Sequence, residues 1–424
     1  MPTNNLALRR ASLGNVSRRD VLTGALAGAA SFAASRSVAG SARGGKDRSL
    51  AYVGCYTPNG LGIHLFGVEA DGDLSPIKVF TTPNPSPTSV SATNPSWLAF
   101  NPGKRNLYVA NEIGNFNSTP AGAVSAFSVN QFDGELTFLN TVSSEGRGPA
   151  HLSVDPSGNY VLVSNYGGGN CAVIPIFADG SLGSATDVQA DVNTCTPGPC
   201  PVGPPIAANA PPGSFARSGH DAPHAHMIET DPAGNFAIAT DLGLDIVIIW
   251  TFDRTNGKLL APKTFPTSPG AGPRHFAFHP NGVWFYLLNE ESSTLAFMRY
   301  NPATGSLRLV DEISTLPEGF VGTNFTSEIM VSPNGSFIYA ANRLHDTIAI
   351  FSIERGGHPE LIGEEWTRGD YPRSFNIDPS GRYMYVCNQR SDAVTTFKVL
   401  GNGHRLRFAN RYTPVGSPAS IIFL

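Results

Sequence analysis

The sequence predicts an all-β fold, a seven-bladed β-propeller, from three observations. A phrase of the form Pro-x-x-φ-x-φ-x-Pro-x-Gly-x-x-φ-Tyr-φ-x-Asn, where φ is apolar, occurs six times with small variations in the 424 residues. Its turn prolines are spaced by 54, 76, 48, 53 and 46 residues, and they are Pro102, Pro156, Pro232, Pro280, Pro333 and Pro379. The chain also holds 45 glycines and 34 prolines, which suits a protein rich in turns, and it lacks long helical periodicity. A period of about 50 residues made of short strands is typical of four-stranded propeller blades.

Each repeat predicts two strands of alternating polarity joined by a Pro-x-Gly turn, as in PSWLAFNPGKRNLYVANE from Pro95. Six full repeats leave a fragment at each end of the propeller. PASIIFL, residues 418–424, matches the first strand of the repeat, and SLAYVGCYT, residues 49–57, matches the second. GIHLFGVEA and LSPIKVF supply a third and a fourth strand. We therefore predict that the N- and C-terminal strands pair to close blade one, which leaves no free sheet edge at the join.

The first 43 residues are predicted to be an export signal with a short linker, and residues 44–424 the propeller. The segment Ser17-Arg18-Arg19-Asp20-Val21-Leu22 resembles a twin-arginine signal. The weakly apolar run at residues 21–34 precedes a small-residue site at 37–39, and it is too short to span a bilayer. The sequence thus favours a periplasmic or extracellular protein without a membrane span. The alternative interpretation is a disordered basic leader.

The charge balance argues against nucleic acid and anionic membranes as partners. The chain carries a net charge of −4, and removal of residues 1–43, with six arginines and one aspartate, leaves −9. An acidic protein is repelled by polyanions. We expect a monomer that binds a small molecule, a lactone or an organic acid.

One spacing is longer than the others because of an insertion at about residues 187–222, rich in Pro, Ala and Gly. Such a stretch predicts a long loop at a blade end, with a lid as one of its conceivable roles. Cys195 and Cys200 lie within it at a spacing that permits a small disulfide, and the sequence leaves that pairing open. Cys55, Cys171 and Cys387 fall in or beside predicted strands and are interpreted as core residues.

Polar residues converge on one rim, because the start of the first strand lies beside the end of the second in an antiparallel hairpin. The position six residues before the turn proline is occupied, in the six repeats, by Ser96, Ala150, His226, Arg274, Ser327 and Arg373. The next position of each repeat is occupied by Trp97, His151, Met227, His275, Glu328 and Ser374. The second strands end at Asn111, Asn165, Asp241, Asn289, Asn342 and Asn388, followed by Glu112, Tyr166, Leu242, Glu290, Arg343 and Gln389. The recurring asparagines predict structural caps.

The residues that break the repeat are the better functional candidates. We predict a catalytic group of four charged or basic side chains: His226, Arg274, Glu290 and Arg343. A second group is predicted to bind substrate: His151, His224, His275, Glu328, Arg373 and Gln389. Arginines that face carboxylates and imidazoles suit a small anionic or carbonyl-bearing substrate. The structural alternatives are packed histidines and a rim salt bridge between Arg274 and Glu290.

Long strings such as GPAHLSVDPSGNYVLVSNYGGG, GPRHFAFHPNGVWFYLLNEESSTL and TSEIMVSPNGSFIYAANRLHDTIAIF resemble the seven-bladed propeller lactonase family. That family includes propeller-type 6-phosphogluconolactonases and their muconate-lactonising relatives, and the resemblance covers about residues 50–424. In the muconate-lactonising relatives a His, two Arg and a Glu are implicated at the active cleft. By matching motifs, the resemblance implies the same four residues as the repeat-breaking argument, with His224 as a neighbouring alternative to His226.

The resulting hypothesis is an exported lactone hydrolase in which Glu290 or His226 activates water, while Arg274 and Arg343 hold an anionic group and the oxyanion. A G-x-S-x-G elbow is absent, which disfavours a covalent serine route. We expect neither a metal ion nor another cofactor, because the arginines would repel a cation. The export signal favours an unphosphorylated sugar lactone over a phosphosugar.

Two other functions remain open on the sequence. One is a muconate-type lactonising lyase or isomerase. The other is a propeller without catalysis that binds a ligand or a protein.

Overall fold

A computed structural model describes residues 49–81, 93–195, 198–204, 206–214 and 219–424. Within these residues, 28 strands form seven four-stranded antiparallel sheets, each a blade. The described residues contain no α-helix, and three short 3-10 turns span Asp191–Asn193, Gln389–Ser391 and Gly401–Gly403. The predicted seven-bladed all-β propeller is confirmed. The predicted export signal at residues 1–43 lies outside the described residues. Among the residues that the structure does describe, no helix is both long and apolar enough to cross a bilayer.

Each blade runs from an inner strand that lines the central channel to an outer edge strand. Blade one consists of β28 (Pro418–Phe423), β1 (Leu50–Cys55), β2 (Ile63–Val68) and β3 (Leu74–Phe80). Blade two consists of β4 (Pro95–Phe100), β5 (Asn106–Asn111), β6 (Ala123–Val129) and β7 (Leu136–Ser143). Blade three consists of β8 (Pro149–Val154), β9 (Tyr160–Asn165), β10 (Asn170–Pro175) and β11 (Asp187–Ala190). Blade four consists of β12 (Ala225–Thr230), β13 (Phe236–Asp241), β14 (Ile246–Asp253) and β15 (Lys258–Pro266). Blade five consists of β16 (Pro273–Phe278), β17 (Trp284–Asn289), β18 (Thr294–Asn301) and β19 (Ser306–Ser314). Blade six consists of β20 (Thr326–Val331), β21 (Phe337–Asn342), β22 (Thr347–Ile353) and β23 (Pro359–Trp366). Blade seven consists of β24 (Pro372–Ile377), β25 (Tyr383–Asn388), β26 (Ala393–Leu400) and β27 (Arg405–Pro414).

The two ends of the described propeller close blade one. The C-terminal strand β28 pairs antiparallel with β1, so that Tyr52 faces Ile422 and Val53 faces Ile421. The predicted closure is therefore confirmed. Because β28 takes the innermost place, its residues are buried against both neighbouring inner strands.

In five of the seven blades, a repeated tyrosine of the second strand joins the blade to the next one. Its hydroxyl donates a hydrogen bond of 2.7–3.1 Å to a glycine carbonyl in the outer turn of the following blade. The five pairs are Tyr52–Gly134, Tyr108–Gly180, Tyr286–Gly357, Tyr339–Gly403 and Tyr385–Gly72. These glycines have positive φ, which a residue without Cβ adopts at low cost. The last pair links blade seven to blade one and adds a second closure of the ring.

Apolar cores lie between neighbouring blades rather than within one sheet. Tyr286 and Leu288 of blade five, for example, pack in one buried cluster with Ile338 and Ala340 of blade six. Every blade thus depends on two neighbours, since a single twisted sheet cannot cover both of its apolar faces.

The insertion begins later than its composition indicated. Residues Asp187–Ala190 form β11, the outermost strand of blade three, and they pair with β10. The prediction of a loop from residue 187 is wrong at this point because an edge strand is exposed on alternate residues and has no apolar run. Beyond it, Cys195 and Cys200 form a disulfide, and the described residues continue along the rim, where Gly203 N donates to Gly243 O.

Candidate active site

A cavity of about 160 Å³ opens at the rim where the polar columns were expected to meet. It is lined by Glu112, Ala150, Tyr166, His226, Glu290, Arg343 and Arg373, and we call it the upper cavity. Four of these residues come directly after the last residue of a second strand. The other three lie at the second position of inner strands.

A β-bulge lies at the second position of six inner strands, and three of these second-position residues, Ala150, His226 and Arg373, line the cavity. The register between inner and second strands shifts at this point in blades two to seven, between Ala225 and Met227 in blade four and between Pro273 and His275 in blade five. The bulged residues there are His226 and Arg274. A bulge re-aims a side chain, and a proline is tolerated at the first strand position, where its missing N–H is not needed.

The asparagines at the ends of the second strands hold the rim together rather than line the cavity. Asn165 Nδ2 donates to the carbonyl of Ser144, and Asn342 Nδ2 donates to the carbonyl of Thr315. Both amides are fully buried. Their bonds to the loops between blades fit the capping role that the sequence predicted.

Two arginines share one carboxylate inside the rim. Arg274 Nε lies 2.9 Å and Arg343 Nη2 lies 2.6 Å from Glu290 Oε2, and all three side chains are buried. Arg343 also donates to the carbonyl of Thr326 and to the hydroxyl of Tyr371. Burial, followed by the charge of Arg343, lowers the pKa of Arg274 to about 10. The salt bridge between Arg274 and Glu290, which the sequence left open as the structural alternative, exists as part of a buried three-membered cluster with Arg343.

Arg274 itself is set back from the cavity. Its Nη1 donates to the carbonyl of Ser327, its Nε faces Glu290, and it is not among the lining residues. The structure therefore gives Arg274 a position behind the wall, whereas Arg343 and Arg373 face the cavity directly.

A second cation that lines the cavity is Arg373, on the inner strand of blade seven. Arg373 lies 3.7 Å from Glu112 and packs over the ring of Tyr56. The Tyr56 hydroxyl donates to Glu112 in turn. Each carboxylate of the upper cavity is therefore paired with an arginine of its lining, Glu290 with Arg343 and Glu112 with Arg373. Arg274, behind the wall, is one arginine in excess.

His226 is the cavity's imidazole and has no charged partner. Its Nδ1 is buried and forms no hydrogen bond with the described residues, while its ring contacts those of Tyr166 and His275. Burial, followed by the charge of Arg274, holds its pKa well below the ordinary 6.5. The ring is therefore neutral at neutral pH and able to accept a proton.

Three predicted substrate-binding residues lie one layer deeper in the channel. His275 Nδ1 is 3.1 Å from Glu328 Oε1, and Trp97 packs against the rings of both His151 and His275. Burial lowers the pKa of His151 and of His275, and burial raises the pKa of Glu328 to about 7. None of the three lines the upper cavity, because each stands one residue beyond the bulge.

His224 and Gln389 are also outside the lining of the upper cavity. The His224 ring stacks on Tyr166 with 4.3 Å between centroids, and its nitrogens lie 2.9 Å from the Tyr166 carbonyl and from Asp221. His224 therefore supports a residue of the cavity instead of facing it. Gln389 opens a 3-10 turn, and its N–H donates to the carbonyl of Tyr371.

The sequence argument passed over Glu112 and Tyr166, which line the cavity. A signal was available, since both occupy the same repeat position as Glu290 and Arg343. Tyr56 follows β1 at the equivalent place in blade one, where the usual Asn is Cys55. Among the described residues, no group of three or more His, Cys, Asp or Glu side chains is placed to hold a metal ion.

Comparison with known proteins decides the family. Residues 50–423 match the model of the family described as lactonase, seven-bladed β-propeller. The chain belongs to the seven-bladed propeller lactonase family. A 6-phosphogluconolactonase of Bacillus subtilis is 31% identical over 328 residues, which covers 77% of this chain and 84% of that protein.

Solved structures agree with this assignment. A periplasmic gluconolactonase of Pseudomonas aeruginosa superposes with a TM-score of 0.76 at 26% identity, over 89% of this chain and 99% of the other. A protein of Lactobacillus plantarum gives a TM-score of 0.76 at 27% identity, over 89% and 100% of the two chains. This propeller lactonase therefore shares nearly its entire described fold with both.

Proposed function

We propose that this propeller lactonase is an exported enzyme that hydrolyses a sugar-type lactone without a metal ion. One observation carries the proposal: the upper cavity is lined by a neutral imidazole, that of His226, together with the guanidinium groups of Arg343 and Arg373. Lactone opening requires a proton acceptor for water and a stabiliser for the developing oxyanion, and these side chains supply both.

We assign the general base to His226 and a positioning role to Glu290. Water attacks the lactone carbonyl carbon while its proton passes to the imidazole, and the carbonyl oxygen becomes an oxyanion. The ring C–O bond then breaks as the imidazolium returns the proton to the ring oxygen. Glu290 Oε2 forms ion pairs with both Arg274 and Arg343. The second ion pair holds the Arg343 guanidinium at the cavity wall.

The arginines favour the charge that the reaction creates. Arg343 and Arg373 line the cavity, and the buried Arg274 behind them adds a third positive charge. The oxyanion and the carboxylate of the product are both stabilised by guanidinium donors, which bind planar oxyanions in a bidentate manner. A volume of 160 Å³, room for about five waters at about 30 Å³ each, limits the enclosed part of the substrate to one small ring.

Metal-independence is supported by the way the carboxylates of the cavity are used. Glu290 is held by two guanidinium groups, and Glu112 is matched by Arg373 and by the Tyr56 hydroxyl. Three neighbouring positive charges oppose the entry of a cation. Ca²⁺ would have to displace these contacts to gain its oxygen ligands.

Export and the absence of a phosphate on the substrate form one part of the proposal, supported by the twin-arginine-like segment at residues 17–22. The Pseudomonas relative is named a periplasmic gluconolactonase, whereas the Bacillus relative is named a 6-phosphogluconolactonase. Fusion of residues 1–43 to a reporter that is active only after export should give signal, and replacement of Arg18 and Arg19 by Lys should abolish it. Equal signal from both fusions would contradict export by this route.

The decisive test of activity is acid release in a pH-stat with glucono-δ-lactone, its 6-phosphate and several simple lactones. We expect the unphosphorylated sugar lactone to be hydrolysed fastest, and the rate to fall by about 10²–10⁴-fold in His226→Asn. Lys78→Gln, which removes an exposed ion pair far from the rim, is the matched control and should retain full activity. Lactone formation from a muconate-type acid would instead indicate the lactonising reaction. No turnover by the folded protein would favour a binding role.

A further inference from the structure

A second and larger cavity occupies the other end of the propeller channel. Its volume is about 730 Å³, and its walls are the later residues of the inner strands; we call it the lower cavity. The layer of Trp97, His151 and His275 separates it from the upper cavity. Trp97 and His151 contribute to its inner end, while Phe100 and Phe278 lie toward the opposite rim.

The lower cavity differs from the upper one in the charges of its lining residues. Two carboxylates, those of Glu229 and Glu328, line it, and its lining residues include no Lys or Arg. Glu229, on β12, keeps a solvent-accessible surface inside the channel and forms neither an ion pair nor a hydrogen bond through its side chain with the described residues. Glu328 is buried beside it. The proposed reaction uses neither residue.

Polar side chains without partners also line this cavity. Ser420 is only 3% exposed, and its Oγ finds no hydrogen-bond partner among the described residues. The same holds for the Oγ of Ser153. Both oxygen atoms are themselves buried from solvent, so the charged contacts that the cavity offers to a ligand are those of its two carboxylates.

The remaining walls are apolar and aromatic. They are formed by Phe100, Phe278, Met227, Met330, Ile421 and Ile422, with further aliphatic side chains. Carboxylates set in apolar and aromatic walls suit a ligand with a positive head and a hydrocarbon body, because the rings and thioethers bind alkyl groups and cations alike.

We propose that the lower cavity is a binding site for an organic cation, an aliphatic ammonium compound whose head group contacts Glu229 and Glu328. The ammonium group donates hydrogen bonds to the two carboxylates, and its chain lies against the phenylalanine and methionine walls. The two arginines of the upper cavity, with Arg274 behind its wall, lie beyond the aromatic layer and confine the cation to this end of the channel.

The electrostatics of the two acids support this assignment. Burial, and after it the charge of Glu328, raises the pKa of Glu229 to about 7, and burial raises the pKa of Glu328 to about 7. Arg274, and to a smaller extent His151, counteract the shift at Glu328, whose Oε1 also lies 3.1 Å from His275 Nδ1, and no cation counteracts the shift at Glu229. A bound cation would relieve this repulsion, so its affinity should rise between pH 6 and pH 8 as both groups ionise.

The test is calorimetric titration of the purified full chain with n-butylammonium, with 1-butanol as the neutral probe of equal shape. We expect n-butylammonium to bind at least about 10-fold more tightly than 1-butanol, as hydrogen bonds to charged groups require. Glu229→Gln should lose at least about 10-fold of that affinity for the same reason. Glu360→Gln, which changes an exposed glutamate of the outermost strand of blade six, is the matched control and should bind as the parent does.

Several results would overturn the proposal. They are equal binding of the alcohol, unchanged affinity in Glu229→Gln, and absence of binding to a protein that melts cooperatively. If Glu229→Gln does not fold, a rise in the parent's affinity between pH 6 and pH 8 still supports the proposal, and a flat or falling profile contradicts it. These readouts do not depend on lactone hydrolysis, so the two proposals can fail separately.

Discussion

Arg343 and Glu290 form an ion pair of 2.6 Å in which the two side chains are only 5% and 6% exposed. A pair buried to this degree has lost most of its contact with water, so removing one partner leaves an uncompensated charge in the protein interior. The exposed pair between Lys78 and Glu135, with 48% and 43% of the side chains accessible, provides the contrast. Solvent screens such a pair on both sides.

Glu290→Gln should therefore destabilise the propeller as well as inactivate it. We expect a loss of about 3–5 kcal/mol in the free energy of unfolding, because Arg274 and Arg343 lose their shared carboxylate. Lys78→Gln should cost less than about 1 kcal/mol. Urea unfolding of both variants beside the parent measures the difference. Equal stabilities for the two variants would show that the buried cluster contributes nothing.

His226→Asn should reduce kcat by about 10²–10⁴-fold, the usual contribution of a general base, with little change in thermal stability. Because burial and then Arg274 lower its pKa, the imidazole stays in its basic form as the pH falls through 6.5. The parent should consequently keep its rate from pH 8 to pH 6, where an ordinary histidine would lose activity. A pH–rate profile of kcat/KM checks this, and a fall in rate centred on 6.5 would contradict the assignment.

His220 should make the stability of the protein depend on alkaline pH. Its nitrogens lie 3.2 Å from Asp245 Oδ1 and 3.1 Å from Glu291 Oε2, which anchors the end of the insertion to blades four and five. Burial alone would lower its pKa, but hydrogen bonds to Asp245 and then Glu291 raise it to about 9. Since the folded-state pKa is raised, the stabilisation is complete below pH 6.5 and is lost as the pH rises toward 9.

The corresponding experiment compares His220→Gln with the parent between pH 6 and pH 9.5. The parent should exceed the variant by roughly 3 kcal/mol at pH 6, and the gap should close toward pH 9. Asp191 and Asp241, another buried carboxyl pair, titrate in both proteins, so the difference between the two curves isolates His220. A gap that does not change with pH would mean that His220 is uncharged in the folded protein.

Deletion of residues 417–424 should abolish folding. The lost strand β28 pairs with β1 along Ala51–Cys55 and fills the innermost place of blade one, so its removal exposes a sheet edge and two inter-blade cores. Removal of Leu424 alone, which lies beyond the strand, is the control and should leave a cooperative melt. Circular dichroism and thermal melting report the outcome, and a soluble, cooperatively melting product of the longer deletion would refute the closure.

The strands of each blade and the number of blades could be predicted from the sequence, because both depend on local properties of the repeat. Strand alternation and the Pro-x-Gly turns repeat in every blade, and the matching fragments at residues 49–57 and 418–424 indicated the seventh. The repeat also identified His226, Glu290 and Arg343, since a residue that departs from its sister blades is visible without any structure.

Only the tertiary structure decided which members of a column face the cavity and which do not. The β-bulge directs His226 to the upper cavity and leaves His275 one layer deeper, and a one-residue shift of register leaves no trace in the pattern. The pairing of Glu290 with Arg274 and Arg343, and the separation of an acidic lower cavity from an upper one lined by two arginines, likewise join residues of different blades. Repeats specify what each blade contains, whereas ion pairs and cavities arise between blades, where the circular packing fixes the distances.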